Sequence, residues 1–235
     1  MKNLIYIIGN SGYRQLLKLC VASVRKYNDT DICCITDDPD DTITDLKLFV
    51  VKDFDFRFAT KFTIGQWEHA HEYEDFLYLD LDILCCGNLD PIFEKIKTNP
   101  NIIHGVKEKE SLNNSDYFFQ FSDCVFDVDA VGYNSGTFGF NSMMLPFFSE
   151  FGLYIDENKQ NAHCDQPLFN EFFVGNNLIE PSLSPFVQLV GGRYDNLNPT
   201  NPDNVLLKHY LGNYGEAGHK ENTMKGDFAC LPAKI

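Results

Sequence analysis

Phe76-Leu77-Tyr78-Leu79-Asp80-Leu81-Asp82-Ile83-Leu84 is the stretch that decides the fold. It opens as a short continuous apolar run, the pattern of a strand covered on both faces. Two carboxylates one residue apart then interrupt it. If the strand continues, its alternation sends Asp80 and Asp82 to one side and Leu81 to the other. Two like charges side by side are costly unless something balances them. A divalent cation does so, since hard carboxylate oxygens bind Mg²⁺ or Mn²⁺ and leave positions open for phosphate oxygens. The plainer alternative is a strand ending in a solvated acidic turn.

Upstream, Leu4 to Ile8 reads as a buried strand, and Gly9-Asn10-Ser11-Gly12 as the turn into a helix over 13–27. Leu17, Cys20, Val21, Val24 and Tyr27 form that helix's apolar stripe. Further strands are read at 32–35 and 46–51, and a helix carrying Lys61 and Trp67 at 60–73. Downstream, Asp90 and Pro91 read as N-cap and first residue of a helix. A strand at 102–106 precedes a polar, aromatic loop over 107–129, of the length expected for a substrate wall. Tyr133 to Asn141 is a glycine-punctuated strand, 146–156 a helix, and Asp165 a helix cap followed by Pro167. A last strand at 205–207 delivers Lys208-His209-Tyr210-Leu211-Gly212, and the tail over 212–226 reads as glycine-rich and flexible. Alternating strands and helices imply an α/β fold with a mostly parallel twisted sheet flanked by helices. No repeat or second core is visible, so 1–235 reads as a single domain.

Composition narrows the function. The chain has 235 residues, 44% of them hydrophobic, with 21 Phe and a formal net charge of −15, so a large core is available and a nucleic-acid-binding surface is not. The apolar run at the N-terminus is too short for a signal segment or membrane span, and no other run is longer. The eight cysteines lack zinc-ligand spacing and fall in or beside apolar runs, so they read as reduced thiols. These observations give a cytoplasmic protein, and a homodimer is left open.

In order along the chain, the motifs resemble glycosyltransferase family 8, a GT-A fold family. The resemblance runs from Leu4 to about Gly212. It rests on Thr60-Lys61-Phe62 with Trp67, the Tyr-Leu-Asp-x-Asp segment with the later Asn88-Leu89-Asp90, Asn134-Ser135-Gly136, Asp165-Gln166 with Asn170, and His209-Tyr210-Leu211-Gly212. It implies a retaining hexosyltransferase that moves a sugar, UDP-glucose or UDP-galactose being the expected donor, to a hydroxyl of a carbohydrate or other acceptor. Asp80, Asp82 and His209 would hold Mn²⁺, with Mg²⁺ as the alternative. Ile8 and Tyr13 would hold the base, and Asn134, Ser135 and Gly136 would line the donor sugar. Asp165 and Gln166 would lie nearest the anomeric carbon, with Lys61 assisting at the diphosphate. The family's Lys-Pro-Trp after the last glycine reads Asn213-Tyr214-Gly215 here, which moves the phosphate lysine to Lys220. Residues 1–106 would form the nucleotide and metal half, 107–212 the sugar and acceptor half, and 213–235 a closing tail. The competing readings are a non-catalytic nucleotide-sugar or glycan-binding domain, a sugar nucleotidyltransferase, and a dehalogenase-type phosphatase, which would need threonine where Leu84 stands.

Overall fold

The computed structural model describes residues 2–38, 46–52, 55, 60–111, 131–162, 164–191, 201–211 and 219–232. Its main sheet contains β1 (Asn3–Ile8), β2 (Asp31–Thr36), β3 (Lys47–Val50), β4 (Asp75–Leu79), β6 (Ile103–Ser111), β7 (Val131–Asn141) and β8 (Ile179–Glu180), in the order β3-β2-β1-β4-β7-β6-β8. All neighbours are parallel except β7, which runs antiparallel to both β4 and β6. A smaller sheet follows the order β5-β10-β9, from β5 (Ile83–Cys85), β9 (Val187–Val190) and β10 (Leu207–Tyr210).

The alternation of side chains along the strands divides the core in two. Leu4, Tyr6, Ile8, Phe76, Tyr78, Phe138 and Phe140 face one side, where they meet α3 (Leu145–Asn158) and α4 (Asp165–Gly175). That layer is rich in aromatic rings. Phe62 meets Phe151 edge-on at 4.7 Å between centroids, and Phe140 meets Phe148 at 4.4 Å. Such contacts add about 0.5–1.5 kcal/mol each beyond area burial. Ile5, Ile7, Leu77 and Leu79 face the other side, against α1 (Arg14–Arg25), α2 (Asp90–Lys97) and the inner face of the small sheet.

Several sequence expectations change here. The stretch 76–84 is not one strand. It leaves the main sheet after Leu79, turns through Asp80, Leu81 and Asp82, and enters the small sheet at Ile83. The expected helix over 60–73 is a pair of 3₁₀ segments, Thr60–Gln66 and Ala70–Glu72. Thr60, Lys61, Phe62 and Ile64 are all buried in the first of them, and its three-residue turn brings Lys61 and Ile64 into line. Helix α2 begins at Asp90 with Leu89 in the cap position, and Asn88 Oδ1 accepts the Asp90 N–H at 2.7 Å, so Asp90 is not the cap. Helix α4 likewise begins at Asp165, with Cys164 in the cap position but making no side-chain capping bond. Strand β6 continues to Ser111, so the wall expected over 107–129 begins as strand and otherwise lies outside the described residues. His209 sits within the last strand rather than after it.

Within the tail expected to be flexible, residues 219–230 form helix α5 (His219–Cys230). Met224 packs on Leu84 and Tyr210, while Lys26 Nζ donates to Leu231 O at 2.7 Å and Tyr27 Oη to Pro232 O at 2.8 Å. No helix among the described residues is long and apolar enough to cross a membrane.

Candidate metal and sugar-transfer site

The turn between the two sheets builds the site. Asp80 ends β4 and donates its N–H to Gly136 O on β7 at 2.8 Å, which keeps it at the edge of the main sheet. Asp82 leads into β5, which pairs with β10 in the register His209↔Ile83, and the Tyr210 N–H donates to Asp82 O at 2.9 Å. The two carboxylates therefore flank the turn, one beside each sheet, and the histidine comes from the strand that ties the small sheet together. One ligand atom from each of Asp80, Asp82 and His209 lies within 4.8 Å of the others. His209 Nε2 stands 3.1 Å from Asp82 Oδ1 and 3.9 Å from Asp80 Oδ2. His209 Nδ1, the other ring nitrogen, is buried with no hydrogen-bond partner, and Asp82 Oδ1 has only the approach of Nε2.

Gly136 makes the convergence possible. A Cβ there would overlap Asp80 Oδ2 and His209 Cε1 and lie 3.0 Å from Asp80 Cγ. Orphaned donor atoms, two carboxylates with an imidazole, and a glycine clearing the floor together fit a divalent cation. Charge is distributed unevenly between the acids. Burial and the neighbouring Asp82 push the Asp80 carboxyl above its usual range, with Lys61 opposing. At Asp82 burial pushes the same way but is outweighed by His209 and Lys220, which hold it well below. Tyr78, beneath the site, donates its hydroxyl to Asp80 Oδ1.

Lys61 is not the solvated lysine its sequence context suggests. It is 5% exposed, with Nζ 2.6 Å from Asp165 Oδ2, 2.8 Å from Ser135 O and 5.1 Å over the Tyr78 ring. The 3₁₀ segment, β7 and the start of α4 thereby meet at one ammonium group.

The sequence model described as Glycosyl transferase family 8 matches residues 58–214, a span holding all of these side chains but Lys220. The chain belongs to glycosyl transferase family 8. It is a glycosyltransferase. No curated protein matches it in sequence. Among solved structures, the galactosyltransferase LgtC in complex with donor and acceptor sugar analogues is similar with a TM-score of 0.65 at 14% identity, over 99% of this chain and 97% of that one. GlyE from Streptococcus pneumoniae TIGR4 gives 0.66 at 15% identity, over 98% of this chain and 63% of that one. Mouse xyloside xylosyltransferase 1 gives 0.57 at 14%, over 91% and 98%. At such identities the likeness is one of fold, and the fold is GT-A.

In this family 8 chain the residues expected around the sugar form one hydrogen-bonded group. Asn134 Nδ2 donates to Glu108 Oε1 at 2.9 Å, and its Oδ1 accepts the Gly136 N–H at 3.0 Å. Gln166 Oε1 accepts the Ser135 N–H at 3.2 Å and Asn134 Nδ2 at 3.4 Å, while Nε2 donates to Glu108 Oε1 at 3.3 Å. Asn170 clamps the backbone of Tyr133 at both ends, accepting its N–H at 2.7 Å and donating to its O at 2.9 Å, so it docks α4 on β7. Ile8 is buried at the end of β1, and Tyr13, 45% exposed, follows the turn capped by Asn10. Lys220 projects from α5 to place Nζ 2.6 Å from Asp82 Oδ2, an ion pair from a helix rather than from a flexible loop. Gly212 lies outside the described residues.

Two members of the site were missed in the sequence. Tyr78 looked like strand core, and only its offset of two from Asp80 hinted at contact. Glu108 lay in a polar run with no motif to mark it.

Proposed function

We propose that the chain is a metal-dependent, retaining glycosyltransferase that moves a hexose from a UDP-sugar to a hydroxyl acceptor. The observation that carries this is the convergence of Asp80, Asp82 and His209 over Gly136, beside the Lys61–Asp165 pair. Donor and acceptor sugar analogues in the LgtC complex support the substrate class. Residues 1–106 supply the nucleotide and metal half, and 107–212 the sugar and acceptor half.

Asp80, Asp82 and His209 hold the cation, Mn²⁺ ahead of Mg²⁺ because imidazole joins the oxygens. When bound it supplies positive charge against the departing diphosphate. The remaining work belongs to the chain's own residues. Ile8 and Tyr13 hold the base at the carboxyl end of β1, where α/β sheets bind ligands. Lys61 and Lys220 add ammonium groups against phosphate oxygens. Asp165 and Gln166 face the anomeric carbon, with Asp165 kept aligned by Lys61. Ser135 and Asn134 shape the sugar wall. Exclusion of water from this buried wall favours transfer over hydrolysis.

The test is a panel of UDP-glucose, UDP-galactose and UDP-xylose with Mn²⁺, scored by UDP release through slow hydrolysis, which needs no acceptor. Turnover with a hexose donor, lost in Asp82→Asn and in excess chelator, is expected. Equal release in chelator removes the metal from the proposal, and preference for UDP-xylose removes the hexose. With an acceptor in hand, NMR of the product is expected to show the donor's α configuration, and a β-linked product would refute retention.

A further inference from the structure

Gln166 and Asn134 each carry an amide whose oxygen and nitrogen ends are nearly the same shape, so either could sit reversed. What fixes them is the direction of their partners. Ser135 N–H and Gly136 N–H only donate, so they must face amide oxygens, Gln166 Oε1 at 3.2 Å and Asn134 Oδ1 at 3.0 Å. Glu108 Oε1 accepts, so it must face amide nitrogens, Asn134 Nδ2 at 2.9 Å and Gln166 Nε2 at 3.3 Å. One carboxylate oxygen is thus the common acceptor that sets the orientation of both amides.

Glu108 is 2% exposed, and its other oxygen, Oε2, is buried with no partner. A side chain kept only for packing would avoid that desolvation cost, and an unsatisfied buried carboxylate calls for a reason. The orientation it enforces supplies one. With Gln166 Nε2 tied back to Glu108, the amide oxygen is presented toward β7 and the sugar wall. With Asn134 Nδ2 held, its Oδ1 stays on the Gly136 N–H, and Gly136 is the floor under Asp80 and His209.

We propose that Glu108 is a positioning residue for transfer: through a single oxygen it locks the amides of Gln166 and Asn134, and so aligns the residue beside the reacting carbon. This rests on the placement of Gln166 at the anomeric carbon in the proposed function. Glu108→Gln keeps an acceptor oxygen and the shape, whereas Glu108→Ala removes the acceptor. UDP release from UDP-glucose and UDP-galactose with Mn²⁺ is expected to fall up to about a hundredfold in kcat for Glu108→Ala, as for a misaligned group, with donor KM little changed. Glu108→Gln is expected to recover most of it. Independently of turnover, the side-chain NH₂ resonances of Gln166 and Asn134 in ¹⁵N-labelled full-length protein should shift in Glu108→Ala and stay near their places in Glu108→Gln.

Three results would overturn the proposal. Unmoved amide resonances in Glu108→Ala would show that the amides need no lock. A Glu108→Gln variant as slow as Glu108→Ala would show that the charge, not the acceptor, is used. Lost thermal stability with intact kcat would leave Glu108 a packing residue. If the wild-type protein releases UDP from no sugar, the proposed function falls, and the NMR comparison still judges the lock.

Discussion

Replacing Gly136 with alanine adds one methyl group at the floor of the proposed metal site. No left-handed backbone angle is involved at Gly136, so the chain itself accepts the new residue. The damage is confined to what the methyl meets: Asp80 Oδ2 and His209 Cε1, both overlapped, and Asp80 Cγ at 3.0 Å. Ordinary contact between such atoms needs about 3.5–4.0 Å, so each side chain must retreat by roughly 1 Å. Neither has room to do so freely. Asp80 is held by the Tyr78 hydroxyl and by its own N–H on Gly136 O, and His209 is buried in β10. Overpacking of this kind costs about 1–3 kcal/mol of stability. Metal ligation is more sensitive, because loss of one supporting contact alone lowers affinity about 10–100-fold, and here two ligands shift. Mn²⁺ affinity, read by EPR or calorimetry on the purified protein, should therefore drop at least about 100-fold while far-UV CD stays native. Gly152→Ala is the control: it lies in α3, nothing stands within 4 Å of the added methyl, and it should hold or gain about 0.4–1 kcal/mol. A Gly136→Ala protein that binds Mn²⁺ like the wild type would refute the convergence of Asp80 and His209 on a cation.

Three further outcomes follow from the same geometry. Lys61→Met leaves Asp165 buried without its counter-ion 2.6 Å away and should cost about 3–5 kcal/mol in urea unfolding, largely recovered when Asp165→Asn is added; a lone Lys61→Met as stable as the wild type would dissolve the pair. UDP should raise the melting temperature only with Mn²⁺ present, by the equivalent of about 2.7 kcal/mol at a hundred times its Kd, and equal stabilisation in chelator would count against the metal. His104 is wholly buried, donates Nε2–H to Asn99 O at 3.0 Å, receives the Ser182 hydroxyl at Nδ1, and faces Glu180 and Lys95; burial pushes its pKa down. Its contribution to stability is therefore present above the free-imidazole value of about 6.5 and is lost as pH falls below it. The urea midpoint of the wild type should decline over that range more steeply than that of His104→Gln, and parallel profiles would exclude His104 as the cause.

The acidic pair was legible because carboxylates at the end of an apolar run have few harmless explanations. Its geometry was not. The sequence reading made Asp80 and Asp82 neighbours on one strand face, whereas the chain changes sheets between them. A strand as short as Ile83–Cys85 carries no readable period, and its partners Val187–Val190 and Leu207–Tyr210 are scarcely longer. The 3₁₀ segment at Thr60–Gln66 was misread because tertiary burial of Phe62, Ile64 and Lys61 overrode the helical pattern. Asp165 and Asp90 were both placed one position too early, as caps, since an acid before or at the first turn looks the same in sequence. For Asp165 the difference matters, because inside the helix its carboxylate turns to Lys61 instead of to the backbone. His209, Lys61 and Gln166 drew attention only through the order of motifs, since each is ordinary alone. Glu108 had no such support, because its role depends on two amides that reach it across space from β7 and α4.

A chain carrying a formal −15 seems ill-suited to bind a diphosphate, and screening over ~10 Å removes only the distant part of that charge. The local part is decisive. Among the described residues, the lysines that Asp80, Asp82, Asp165 and Glu108 meet around the site are Lys61 and Lys220, and each already stands against a carboxylate. Four acids against two ammonium groups give these side chains a formal excess of negative charge, which burial of Asp80 eases by raising its pKa. In the proposed function a divalent cation would offset that excess and would free Lys220, 2.6 Å from Asp82, to meet phosphate oxygens. The proposed dependence of donor binding on metal would then follow from the pocket's own charge, independent of which sugar the donor carries. The same arrangement explains why Asp82 is held strongly ionised while Asp80 is not. Asp82, paired with His209 and Lys220, is held ionised, whereas Asp80, buried and bonded by Tyr78, would gain its full counter-charge on binding the proposed cation.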